Sequence, residues 1–408
     1  MPPSERSPLL DGDAQSDSVL HRIKVLVAAE GEPSWTDSYR FFLFGSYLNV
    51  FLLFVPLSII SHTLNWDAAL RFSFSFIAII PLAKLLGEAT EQMSAKLGQT
   101  LAGLLNASFG NAVEIIVGIA ALLQGEMRIV QTSMLGSILS NLLLVLGCSF
   151  LAAGFKFQES NFQVTAAQAS SSLMTLACIT LIIPAAYHTT ILPKDAQDRL
   201  SSFLAGESEI DSGLLVISRG TALLLLGVYI AYLYFQLKSH SYLFEAPEGE
   251  ADEPRMSVVA AGVALLLTTV VTSFCADYLV ASIEETADRY HIPKPFIGLI
   301  LLPIVANAAE HVTSVWMAMK GQMELTIGIC VGSSIQIATF VIPLLVIVGW
   351  IAGPGHELTL FFANFETITL FTSVFLVHTL IQDGKSNYME GLMLVTLYCV
   401  IALAFWVV

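Results

Sequence analysis

Eleven times along its 408 residues the chain runs for about 20 residues with scarcely a charge, at approximately 41–60, 70–87, 100–123, 129–153, 164–187, 214–237, 257–280, 296–319, 325–350, 359–381 and 388–408. About 20 helical residues cross a hydrocarbon core of about 30 Å. The runs lack the in-out alternation of barrel strands, and only a helix or a closed barrel satisfies its backbone in lipid. The expected fold is therefore an all-α polytopic membrane protein of about 11 transmembrane helices. Composition agrees: 55% of residues are hydrophobic and 12% charged, against roughly 25% charged in soluble domains.

The net charge of −15 lies mostly in connecting segments and the N-terminal tail. It argues against nucleic acid as a partner and suits cations. Residues 1–40 are polar and lack an apolar h-region, so no cleaved signal peptide is expected. There Glu5 precedes Leu9 and Leu10 in "ERSPLL", a spacing like that of an acidic dileucine signal for vacuolar or lysosomal membranes. The five cysteines (Cys148, Cys178, Cys275, Cys330, Cys399) all fall in apolar runs and read as buried thiols, not a disulfide framework. The clearest linker is "FEAPEGEADEPR", carrying Glu245, Glu248, Glu250, Asp252 and Glu253. The organisation read from this is a tail at 1–40, a first helix at 41–60, helices 2–6 at 61–244, the acidic linker at 245–256 and helices 7–11 at 257–408. With the N-terminus cytosolic, eleven Lys and Arg residues fall on the cytosolic side and six opposite. That bias places the linker in the cytosol and the C-terminus on the far side.

Two runs contain a carboxylate where hydrocarbon penalises it by about 3 to 10 kcal/mol: Glu114 in "SFGNAVEIIVG" and Glu310 in "PIVANAAEHVTSV". The two surroundings match. Asn111 precedes Gly136 by 25 residues, and Asn307 precedes Gly332 by 25. Asn-Ala-Val-Glu thus aligns on Asn-Ala-Ala-Glu, Gly136-Ser137 on Gly332-Ser333, and Ser140 on Gln336, without a gap. Segments 2–6 and 7–11 form the repeat. Each unit has an odd number of spans, so the second enters the membrane inverted, the signature of alternating-access transporters with sites at the repeat interface.

Asn111 and Glu114 share one helix face, as do Asn307 and Glu310. Brought together near mid-membrane, two carboxylates, two amides and backbone carbonyls make a hard-oxygen site suited to Ca²⁺. Gly110 and Ala306 occupy matching positions before the two asparagines and can offer carbonyls. Without a cation, two close carboxylates in a poorly polarisable place take up protons. The same pair then holds either a divalent ion or protons, which is what exchange requires. Ser137, Asn141, Ser333 and Gln336 are the polar neighbours on the following helices, and His311 is read as a proton relay or a helix–helix hydrogen bond. Glu91, with Glu88, and Asp277 occupy roughly corresponding places and read as lining access paths. Glu366 and Arg219 read as interhelix pairs or interfacial charges.

"LLNASFGNAVEIIVG", "SMLGSILSNLLLVLG", "FIGLILLPIVANAAEHVTSV" and "VGSSIQIA" resemble the hallmark repeats of the calcium/proton exchanger family, its fungal vacuolar members in particular, and the resemblance runs from about residue 41 to the end. It implies eleven helices, a mobile first helix and two five-helix repeats joined by an acidic segment. It implies Ca²⁺ uptake into the vacuole in exchange for lumenal H⁺, with no cofactor. Its motif residues map onto Glu114, Glu310, Asn111, Asn307 and His311, and its neighbouring polar positions onto Ser137, Asn141, Ser333 and Gln336. One position departs: Ala306 stands where the family pattern has Gly. An exchanger of Mn²⁺, one using Na⁺ or K⁺ as counter-ion, and a cation channel share the same residues. An intramembrane hydrolase is disfavoured, because the chain has no His-Glu-x-x-His spacing.

Overall fold

The computed structural model describes residues 33–95, 97–191, 208–243 and 254–407. The "ERSPLL" motif and the linker carboxylates Glu245, Glu248, Glu250, Asp252 and Glu253 lie outside the described residues. The helices are α1 (Trp35–Phe44), α2 (Tyr47–Thr63, opening as a 3₁₀ turn), α3 (Ala68–Ser94), α4 (Gly98–Phe109), α5 (Ala112–Leu123), α6 (Met127–Gly154), α7 (Val164–Ile191) and α8 (Ser208–Tyr234, extended by a π turn at Phe235–Ser239). After the linker come α9 (Val258–Tyr290), α10 (Lys294–Ala306), α11 (Ala308–Met319), α12 (Met323–Ala352), α13 (Asn364–Leu380) and α14 (Tyr388–Val407).

Among the described residues seven helices are long and apolar enough to cross a membrane, or nine if α1–α2 and α10–α11 are each counted as one bent span. The remaining apolar segments are the broken pair α4–α5 and the 17-residue α13. The first expected span is thus recast. Helix begins at Trp35, inside the segment read as tail, and turns by 87° before α2. Ser34 caps α1 by accepting from the Asp37 N–H at 3.2 Å, a side-chain cap of the usual kind. The seventh span also runs further than the apolar window, to Tyr290. Its charged end is carried by ion pairs: Glu285 with Arg71, Arg289 with Asp67, and Glu284 with Lys294 at 2.8 Å.

The first two of those pairs join the end of α9 to the start of α3, and the third joins it to α10. At the other end the Gln92 Oε1 of α3 accepts the N–H groups of Arg255 and Met256 at 2.8 and 3.2 Å, just before α9 begins. α3 and α9 therefore pack antiparallel and are tied at both ends. Between the halves, α14 crosses α6 where two glycines meet; a Cβ at Gly391 would lie 2.6 Å from the Gly147 carbonyl oxygen. Small residues at such crossings let helix backbones approach.

The two halves repeat in local detail. Gly125 and Gly321 stand at the same offset as Asn111 and Asn307, and both take positive φ, +80° and +84°. Each closes the turn after a broken helix, its N–H bonded to Leu122 or Ala318 at 3.1 or 3.0 Å. α6 and α12 each contain a π turn, at Ser140–Val145 and Ile337–Val341. The turns at Ile297–Leu301 and Ile337–Val341 sit immediately before Pro303 and Pro343. A proline removes one i→i−4 bond and crowds the carbonyl four residues back, and a π turn absorbs both.

Candidate ion site

α4 stops at Phe109 and α5 starts at Ala112, with Asn111 at φ −108°, ψ 36°. α10 stops at Ala306 and α11 starts at Ala308, with Asn307 at φ −86°, ψ 7°. Both asparagines hold the N-cap position, yet neither side chain caps its helix. The amides reach across the structure instead. Asn111 Nδ2 donates to Gln336 Oε1 at 2.6 Å, and Ser333 Oγ donates to Asn111 Oδ1 at 2.7 Å. Asn141 Nδ2 donates to Ser333 Oγ at 3.0 Å, and Asn307 Nδ2 to the Ser137 carbonyl at 3.3 Å. These bonds link residues 170 to 225 positions apart, so the breaks, far apart in sequence, meet in one network.

Glu114 and Glu310 each sit in the first turn of the helix that follows the break, where the positive end of the helix dipole favours a carboxylate. The Glu310 carboxyl lies in the field of Glu114, with the Asn141 and Ser333 side chains beside it. Three buried oxygens here, Asn141 Oδ1, Asn307 Oδ1 and Glu310 Oε2, find no hydrogen-bond partner among the described residues. Buried polar atoms are nearly always paired, so two amide oxygens and a carboxylate oxygen left unpaired in one region stand out as free hard-oxygen acceptors. Among the described residues no three His, Cys, Asp or Glu side chains gather into a metal cluster. The donors here are two carboxylates and neutral oxygens.

The carboxylates face different spaces. Glu310 lines a cavity of about 500 Å³ that runs between α7, α8 and α12 past Gly110, Gln336, Ser333, Gly332, Gly328 and Glu324. Glu114 is 5% exposed and borders a void of about 20 Å³ with Ser137, Met134, Pro303 and Ala306. Each carboxylate thus adjoins the Gly110 or Ala306 of the other half. The following glycines show the same contrast. A Cβ at Gly136 would stand 2.2 Å from the Leu299 carbonyl oxygen, whereas a Cβ at its counterpart Gly332 would meet nothing within 4 Å. One wall is closed and its counterpart is open.

Of the residues read from sequence, Glu114, Glu310, Asn111, Asn307, Ser137, Asn141, Ser333, Gln336, Gly110 and Ala306 come together. His311 is half-buried on α11; its backbone N–H bonds the Asn307 carbonyl at 2.8 Å, and its ring enters no hydrogen bond among the described residues. Asp277 and Glu91 are exposed and line neither cavity; the Asp277 carbonyl accepts from Gln124 Nε2 at 3.2 Å. Glu366 forms an interhelix pair with Arg128 at 2.5 Å, and Arg219 of α8 pairs at 2.8 Å with Glu357 in the connection between α12 and α13. The reading missed Glu324, Gln163 and Gln236 along the large cavity. Their one signal was position: Glu324 opens the helix that leads down to Ser333 and Gln336.

Two broken helices whose carboxylates meet at one network, one beside a cavity of about 500 Å³, in a chain rich in membrane-crossing helices, fit a membrane transporter. The chain belongs to the sodium/calcium exchanger protein family, whose model matches residues 68–238 and 260–407. It is 45% identical over 405 residues to the vacuolar calcium ion transporter of Schizosaccharomyces pombe, covering 98% of this chain and 93% of that one. It is 41% identical over 384 residues to vacuolar cation/proton exchanger 3 of Oryza sativa subsp. japonica, covering 91% and 88%. Among solved structures, native YfkE superposes with a TM-score of 0.73 at 33% identity, over 88% of this chain and all of that one. A structure of the H⁺/Ca²⁺ exchanger CAX shares the fold, with a TM-score of 0.62 at 14% identity over 88% and 91% of the two chains.

Proposed function

We propose that the protein is a secondary antiporter of the vacuolar membrane that moves Ca²⁺ from the cytosol into the lumen in exchange for H⁺. The observation that carries this reading is the pair Glu114 and Glu310 at two matching helix breaks, one beside a large cavity and the other beside a closed void. The names of the relatives, vacuolar calcium transporter and vacuolar cation/proton exchanger, support the cargo and the membrane. The broken and bent pairs, counted as single spans and taken with α13, give eleven crossings. Two inverted five-helix units then put the N-terminus in the cytosol and the C-terminus in the lumen. The large cavity opens towards the end of α8 and the start of α12, the face from which the acidic linker departs, so this is the cytosol-facing state.

In that state Ca²⁺ descends past Glu324 and loses water to the two carboxylates, to Asn307 Oδ1 and Asn141 Oδ1, and to carbonyls freed at the breaks. Its double charge cancels both glutamates. After the walls exchange roles, protons from an acidic lumen displace the ion, since a carboxylate must be deprotonated to hold it. The test is ⁴⁵Ca²⁺ uptake into acid-loaded proteoliposomes, with Mn²⁺ as competitor. Uptake should require the pH gradient and vanish in Glu114→Gln and Glu310→Gln. The apparent Ca²⁺ affinity should weaken as the cytosolic-side pH falls, by about tenfold per unit for each proton displaced. Uptake indifferent to the gradient refutes the proposal. Mn²⁺ that displaces Ca²⁺ at equal concentration widens the cargo to both ions.

A further inference from the structure

A second cavity, of about 780 Å³, shares no lining residue with the two at the ion site and is lined by Pro33, Asp37, Arg40, Phe41, Pro254 and Arg255, with Phe44 and Gly45. We infer that it holds the phosphate of an anionic phospholipid headgroup, between the guanidinium groups of Arg40 and Arg255.

Three observations point there. Both arginines are exposed, and among the described residues neither makes an ion pair. The carboxylate in the cavity, Asp37, is engaged by Ser34 Oγ at 2.6 Å. The site is also held in shape. The Arg255 guanidinium stacks 5.2 Å over the Phe41 ring. Its own N–H is fixed to Gln92 of α3 at 2.8 Å, and the Ser257 N–H bonds Ser38 Oγ of α1 at 3.3 Å. Guanidinium forks placed this way match phosphate oxygens.

The third observation is position. α1 turns 87° from α2, so when α2 crosses the bilayer α1 lies along its surface, at headgroup level. On either side of the bend, Phe44, Tyr47 and Val50 are 82%, 97% and 74% exposed, an apolar track for the acyl chain beneath the phosphate. A soluble phosphate has no use for that track, whereas basic pockets beside apolar helix surface on the cytoplasmic leaflet suit anionic lipid. A lipid seated there would bridge α1 to the tied α3–α9 pair.

The test uses the full-length protein in phosphatidylcholine nanodiscs, titrated with dioctanoyl phosphatidic acid or dioctanoyl phosphatidylcholine, with inorganic phosphate in a parallel arm. The phosphatidic acid should bind and the phosphatidylcholine should not. Arg40→Gln and Arg255→Gln should each weaken binding about fivefold and together about 25-fold, while Lys156→Gln leaves it unchanged. Unaltered ⁴⁵Ca²⁺ site function and thermal melting in the variants separate loss of the lipid site from loss of fold. Binding indifferent to both arginines overturns the inference, as does inorganic phosphate binding as tightly as the lipid. So does a tenfold gain in affinity when Glu245, Glu248, Glu250, Asp252 and Glu253 are all changed to Gln, which would mean that the linker occupies the cavity.

Discussion

A single methyl group, added at one of two matching glycines, separates a rigid site from one that alternates. In Gly136→Ala the new carbon would stand 2.2 Å from the Leu299 carbonyl oxygen and 2.6 Å from Pro303 Cγ. Contact normally settles near 3.5 Å, so α6 and α10 must part by about 1 Å. Overpacking of this kind costs about 1–3 kcal/mol. In Gly332→Ala nothing lies within 4 Å, and alanine favours helix by about 1 kcal/mol over glycine. The cavity-open state therefore keeps or gains stability. If the other state closes α12 against a neighbouring wall as tightly as α6 is closed now, that state carries the 1–3 kcal/mol instead. The equilibrium then shifts about 5–150-fold towards the open form. Two assays read this: the Tm of the purified protein and the initial rate of ⁴⁵Ca²⁺ uptake in acid-loaded proteoliposomes. The expected pattern is a lowered Tm for Gly136→Ala, and an unchanged or raised Tm with uptake reduced at least fivefold for Gly332→Ala. Wild-type uptake in Gly332→Ala, and again in the bulkier Gly332→Leu, would refute closure against that wall.

Ser333→Ala removes both the donor to Asn111 Oδ1 and the acceptor for Asn141 Nδ2. Each partner left unpaired costs about 1–3 kcal/mol, so the apparent Ca²⁺ affinity should fall about tenfold or more in uptake titrations. Ser137→Ala keeps the carbonyl that Asn307 uses and should fall less. Arg128→Gln leaves Glu366, 2% exposed, without its cation; roughly 3 kcal/mol of stability should be lost in thermal unfolding, the low end for a buried pair because Arg128 is half-exposed. Near Phe162 and Gln163 of the large cavity, Lys385 bonds Glu159 at 3.0 Å beside the two-stranded link of Ser160–Asn161 to Lys385–Ser386. The hydrogen bond to Glu159, and then its charge, hold the ammonium above the usual lysine range. The stabilisation is thus fully present below the ordinary lysine pKa and lost as pH rises through the raised one. Hydrogen exchange of the Phe162 amide, bonded to Gly384 O at 3.0 Å, should accelerate over that alkaline window more than pH alone dictates, and Lys385→Gln should abolish the excess.

The apolar runs carried most of the fold because lipid leaves a chain few options, and the paired Asn-x-x-Glu motifs pointed to the candidate site because a carboxylate in an apolar run is costly. What was not legible has physical causes. Gly136 and Gly332 occur in the same local pattern, and only tertiary packing makes one a closed wall and the other an open one. The charges near Glu284, Glu285 and Arg289 looked like a loop. They are the solvated end of a 33-residue helix, held by partners from α3 and α10 that no local pattern announces. Asp277 looked like Glu114, an acid late in an apolar run, yet its side chain points outward. Periodicity gives the face of a helix and not what that face meets.

The asymmetry between the two asparagines bears on the order of events. Asn111 is satisfied on both amide atoms by residues of the second half, Gln336 and Ser333. Asn307 uses its nitrogen but leaves Oδ1 unpaired, and that oxygen shares the region with the unpaired Glu310 Oε2 beside the open cavity. On the proposed reading the incoming ion therefore completes the second half-site first, at the open side, while Asn111 stays tied down. Closing that side while opening the other would release Asn111 from Ser333 and Gln336 and engage Asn307 with the matching Ser137 and Ser140. The amide freed at each step is the one adjoining the newly opened path. An empty, ionised pair is the costliest arrangement in the cycle, because two carboxylates would then cross low-dielectric surroundings uncompensated. On the proposed reading, that cost ties each return of the site to the carriage of protons.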